Sequence, residues 1–141
     1  MRNNINIYRT VAKIHILLAL CLLCTASFAQ TSKYLLPQDV KTAFEKSDMK
    51  HLSAYIAPTI EISLPTGSGI YGKRQAEMVL NEYLQMHKGM TMNITGEENV
   101  LQATKTNGKI SHNGKTMFIS ILFQRNKNSI QIKQIRIDDK K

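Results

Sequence analysis

The sequence predicts an α+β fold, with three amphipathic helices packed on one face of a curved antiparallel sheet. Apolar residues repeat at helical spacing in three stretches before Gly89 and alternate after it. Two Asn-Gly pairs, Asn107-Gly108 and Asn113-Gly114, punctuate the alternating half as hairpin signals. The final apolar stretch changes parity midway, which a flat strand with one buried face does not do.

Residues 1–29 read as a secretory signal peptide that precedes this fold. Arg2, Arg9 and Lys13 open it, Ile14–Cys24 is apolar apart from His15, and Ser27-Phe28-Ala29 offers small residues for cleavage. The apolar run is about half of the ~20 residues needed to span a bilayer, which favours cleavage over an anchor. The chain's two cysteines, Cys21 and Cys24, both lie in this leader. Cleavage after Ala29 then gives an exported protein of the periplasm or cell envelope without disulfides or thiolate chemistry. That mature chain has 112 residues, enough for one core, and its formal charge falls from +9 to +6. Its basic residues are scattered and do not interleave with aromatics, so a nucleic-acid groove is not expected. Weak attraction to an anionic envelope surface is the most this charge implies.

Residues 30–35 form a polar tether, and residues 36–141 form the domain. Pro37 suits a first helical turn, and Val40, Ala43 and Phe44 share one face, predicting a helix over 37–46. Ser47-Asp48 breaks it and caps a shorter helix with Leu52, Tyr55 and Ile56 as its stripe, ended by Pro58. Ile60, Ile62 and Leu64 alternate with Glu61 and Ser63 as a half-buried strand, closed by the turn cluster 65–69. Ala76, Val79, Leu80, Tyr83 and Leu84 line a third helix over 73–87, with Gly72 as N-cap and Gly89 as a left-handed stop.

The remainder reads as strands. Met90, Met92 and Ile94 alternate, and one strand over 101–112 bends at Gly108, leaving Asn113-Gly114 as the hairpin turn. Residues 116–125 are apolar on both parities, Met117, Ile119, Ile121 and Phe123 on one and Phe118 and Leu122 on the other, which places that strand centrally. Ile130 and Ile132 oppose Ile135 and Ile137 in parity, so a bulge near Lys133-Gln134 is expected to restore all four to one face and bend the sheet.

The run Gly69-Ile70-Tyr71-Gly72-Lys73-Arg74-Gln75-Ala76-Glu77 resembles the glycine-x-tyrosine-serine-lysine-x-glutamine-alanine-glutamate pattern of domain-of-unknown-function family 4783. Gly72 stands where that pattern has serine. The close of the chain, Ile132-Lys133-Gln134-Ile135-Arg136-Ile137, resembles the end of the same family, so the likeness spans residues 36–137. The order of elements is similar to the nuclear transport factor 2-like cone fold. The resemblance implies small exported proteins typical of Bacteroidetes and a pocket between helices and concave sheet, with no assigned activity.

No residue pattern calls for a cofactor or a metal. His51, His87 and His112 lack ligand spacing, and Gly67-x-Gly69-x-x-Gly72 lacks the second strand and acidic residue of a dinucleotide unit. Glu97-Glu98 and Asp138-Asp139 are adjacent pairs that point apart on strands and make poor acid–base partners. Tyr55, Tyr71, Tyr83 and Met117 are the candidates for lining the cone's pocket, although tyrosines at such positions more often anchor a core through one bonded hydroxyl. Met78, Met86, Met90, Met92 and Met117 are expected to give the core a soft lining. The expected function is a non-enzymatic binding or interaction module, acting through its concave pocket or an exposed sheet surface on a small apolar ligand or an envelope protein, with a homodimer left open. The alternative is a cone-type isomerase, dehydratase or hydrolase.

Overall fold

The computed structural model describes residues 35–126 and 129–139. The expected leader, its expected cleavage site and most of the expected tether lie outside them. Helix α1 (Gln38–Glu45) follows Pro37, whose φ of −57° sets the chain for a first turn, and buries Val40, Ala43 and Phe44. It stops at Ser47, where φ is 54° and the hydroxyl donates to the Leu84 carbonyl at 2.8 Å. Asp48 caps α2 (Met49–Ser53), its carboxylate accepting the His51 N–H at 3.1 Å. The predicted stripe of α2 is too long. The helix ends at Ser53, and Ile56 already begins a strand that contains Pro58.

Six strands form one sheet: β1 (Ile56–Leu64), β2 (Gly67–Gly72), β3 (Thr91–Val100), β4 (Ala103–His112), β5 (Lys115–Asn126) and β6 (Ser129–Asp138), in the order β2-β1-β6-β5-β4-β3. Helix α3 (Lys73–Met86) separates β2 from β3 and buries Ala76, Leu80, Tyr83 and Leu84. Fully burying each large apolar side chain is worth about 1.5–3 kcal/mol. Gly72 caps α3 without a side chain, and Gly89 takes φ 79° just beyond its end.

The sheet is mixed rather than wholly antiparallel, because β1 and β6 pair in parallel while every other neighbouring pair is antiparallel. The last strand returns beside the first only after a helix and four further strands, so no hairpin joins the two. Two further expectations give way. The turn cluster 65–69 reduces to Pro65-Thr66, since Leu64 already pairs with Gly67 in an edge strand. Leu101, expected to open a strand, is instead the turn of the β3–β4 hairpin, with φ 56° and 99% exposure.

The curvature follows the sequence closely. Leu122 pairs with Gln134 and Phe123 with Ile132, so Lys133 is the extra residue of a bulge in β6. Ile132, Ile135 and Ile137 are consequently all buried, and Ile130 packs against the same core. A second bulge lies opposite Gly108. Ile94 pairs with Gly108 and Gly96 with Asn107, which leaves Thr95 unpaired in β3. A Cβ at Gly108 would stand 2.8 Å from the Asn93 carbonyl oxygen, so the bent strands approach closely only at glycine. The Asn113-Gly114 turn, with φ 48° and 77°, has both residues left-handed as a two-residue hairpin requires.

Candidate functional site

The concave face of the sheet is filled by side chains. Phe44 and Leu52 from the first two helices, Leu80 and Leu84 from α3, and Ile110, Ile121, Phe123 and Ile135 from the strands are all buried there. Glu97 also faces this side, at the mouth. Its carboxylate accepts from the Leu35 N–H at 2.6 Å, the Leu36 N–H at 2.9 Å and the Thr106 hydroxyl at 2.7 Å. Arg125 donates to the Leu35 carbonyl at 2.7 Å, so carboxylate and guanidinium together clamp the start of the domain.

The four sequence-predicted pocket residues separate into two that meet and two that stand alone. Tyr83 donates its hydroxyl to the Met117 sulfur at 3.4 Å, and both side chains are buried. Burial, then the Asp139 carboxylate, push the Tyr83 phenol up to about 12. The His87 ring stacks on Tyr83 with centroids 4.2 Å apart, and His112 meets His87 edge to face at 5.3 Å. His87 Nδ1 lies 2.8 Å from the Tyr83 carbonyl oxygen, so this nitrogen carries the proton and donates. Tyr71 is half-buried against the core, its ring over Gly69, where a Cβ would come within 3.0 Å of it. Tyr55 lines a shallow hollow with Leu35, Pro37, Arg125 and Ile130. The four therefore do not converge on one cavity. Among the described residues, no group of three histidines, cysteines or carboxylates is placed to hold a metal. Two of the five methionines expected inside are outside, with Met78 69% and Met86 57% exposed on α3.

The largest of the described hollows opens on the other side of the sheet. It measures ≈ 600 Å³ and is lined by Thr95, Asn107, Gly108, Lys109, Phe118, Ile119, Ser120 and Asp138. Strand register explains the set. Phe118 lies between Lys109 on β4 and Asp138 on β6, and Ser120 lies between Asn107 and Arg136. The Lys109 ammonium stands 5.7 Å from the Phe118 ring centroid, and Arg136 Nε donates to Asp138 at 2.7 Å. The Ser120 hydroxyl is shielded from solvent and has no hydrogen-bond partner among the described residues.

The family described as Domain of unknown function (DUF4783) matches residues 37–138, the whole of this helix-and-sheet unit. The chain belongs to the DUF4783 family. Among solved structures, a DUF4783 family protein from Bacteroides uniformis superimposes with a TM-score of 0.66 at 21% identity, covering 75% of this chain and 98% of that one. A DUF4783 family protein from Bacteroides fragilis gives 0.65 at 24% identity, covering 73% and 97%. An NTF2-like protein of unknown function from Cytophaga hutchinsonii gives 0.50 at 13% identity, covering 70% and 81%. These likenesses carry the NTF2-like cone fold. No curated protein matches the chain.

For this DUF4783 domain, the lining residues chosen from the sequence were sought inside the cone, and none of them lines the hollow on its outside. A signal was present in Phe118 and Leu122, the apolar residues of β5 on the parity opposite to the core. That parity showed an apolar outer surface. It could not show which residues of β4 and β6 flank it, because register across three strands is a tertiary property.

Proposed function

We propose that this DUF4783 protein is exported to the periplasm or cell envelope and works there without catalysis, as a binding module acting through the outer face of its sheet. The observation that carries the reading is the contrast between the sheet's two faces. The concave side is packed with side chains, whereas the outer side holds a hollow of ≈ 600 Å³, within the range of small-molecule sites. Acid–base chemistry inside the cone would need an available carboxylate or histidine; Glu97 is occupied by three hydrogen bonds at the mouth, and His87 is stacked on Tyr83 with Nδ1 held by its carbonyl. The lining also moves the expected ligand from apolar to mixed chemistry, since Lys109, Asn107 and Asp138 surround Phe118.

Protein recovered from its own envelope and isotope-labelled tests both parts. Its N-terminus is expected at Gln30, and an intact Met1 would overturn export with cleavage. Titration with a soluble envelope extract is expected to shift backbone amides at residues 107–109 and 118–120. Shifts gathered instead around Tyr83 and Met117, or no shifts on the outer face, would overturn the binding surface.

A further inference from the structure

We infer that the hollow on the outer face takes the ring of a neutral saccharide, an inference that rests on the outer face being the binding surface. Its geometry is a ring flanked by hydrogen-bonding groups. Phe118 sits centrally, with Lys109 on one neighbouring strand and Asp138 on the other, and the row beneath runs Asn107, Ser120, Arg136. A pyranose has one face of C–H groups with slight positive charge, which suits the negative face of an aromatic ring. Around that face it carries hydroxyls that each donate and accept, so it can use Lys109 as a donor, Asp138 as an acceptor and Asn107 as both.

The charges argue against an ionic ligand. An anion drawn to Lys109 would face the Asp138 carboxylate, and a cation drawn to Asp138 would face Lys109 and Arg136. A wholly apolar ligand would strip water from those same groups and return nothing. Ser120 supplies an independent pointer. Buried hydroxyls in folded proteins almost always have a partner, and this one, in the lining, has none among the described residues. A change of χ1 rotamer is the movement this short side chain has available for meeting a sugar hydroxyl in the hollow. The long, flexible Lys109 side chain, 5.7 Å from the ring centroid, can swing aside to uncover the Phe118 face and then donate to the ligand.

The test uses the exported protein and a panel of D-glucose, D-galactose, D-mannose, N-acetyl-D-glucosamine, maltose and cellobiose, read by saturation-transfer NMR and backbone-amide shifts. At least one sugar is expected to shift amides at 107–109 and 118–120. Phe118→Leu, which keeps an apolar side chain on β5 while removing the ring, is expected to weaken that sugar by about tenfold or more. Ser120→Val is expected to weaken it as well, and Met78→Ala on α3 to leave it unchanged. Melting curves of all three variants confirm that they are folded. Failure of every sugar, or binding indifferent to both Phe118→Leu and Ser120→Val, overturns the inference. A parallel panel of neutral amino acids and dicarboxylates separates the two levels. Shifts at the same amides from those ligands alone overturn the saccharide and leave the outer-face reading standing, whereas silence of the outer face toward both panels and the envelope extract overturns both.

Discussion

Tyr83 illustrates how one side chain serves packing and polarity together. Its ring is 2% exposed, its hydroxyl is spent on a sulfur, and its backbone carbonyl fixes the proton on His87. A raised phenol pKa means that the folded state favours the neutral form. Its stabilising contribution is therefore fully present below the ordinary value of 10.0 and is lost as pH rises through about 12. In an ultraviolet titration, one phenol is expected to ionise near 12, and Tyr83→Phe is expected to remove that phase. A titration unchanged by the substitution would contradict the placement of Tyr83. The sequence singled out Tyr83 and Met117 separately, but their contact joins residues 34 apart in the chain and arises only when α3 packs on the sheet.

At the scale of elements, Lys133 carries a large consequence for a surface residue. It is the extra residue in β6, and without it the isoleucines on either side of it in sequence could not share a face. Deleting Lys133 is expected to abolish the cooperative fold, turning either Ile130 and Ile132 or Ile135 and Ile137 outward. Far-UV circular dichroism and urea unfolding check this, and a deletion variant with a native transition would refute the bulge. Lys133→Ala, which keeps the residue count, is expected to stay within about 0.5 kcal/mol of the parent. This bulge was legible because parity is a local property of the chain. Its companion at Thr95 was not, since it is defined only by the pairing of Ile94 and Gly96 with Gly108 and Asn107. The Leu101 turn was equally hidden, because it has none of the glycine or asparagine that normally marks left-handed backbone.

Across the whole molecule, helices and sheet share one core, so damage in it should be felt everywhere at once. Phe123 is fully buried on central β5, whereas Phe118 on the same strand is half-buried on the outer face. Phe123→Ala is expected to cost about 3–5 kcal/mol, lowering the urea midpoint in a single transition seen alike by circular dichroism and tyrosine fluorescence. Two separated transitions would mean that the helices and the sheet do not unfold as one unit. The Glu97 and Arg125 contacts to Leu35 and Leu36 extend the same unit to the beginning of the domain, between residues more than sixty positions apart.

Taken alone, the sequence determined the helices, the central place of β5, the bend at Gly108, the Asn113-Gly114 turn and the β6 bulge. Each of these is written in spacing, parity or backbone preference over a few residues, where steric and solvation preferences act locally. The tertiary structure alone decided that β6 returns parallel to β1, that the cone's interior is filled, and that Phe118 stands between Lys109 and Asp138 on the outer face. Those outcomes depend on strand order and inter-strand register, which are set by burying the whole core at once and leave no mark on any single stretch of chain.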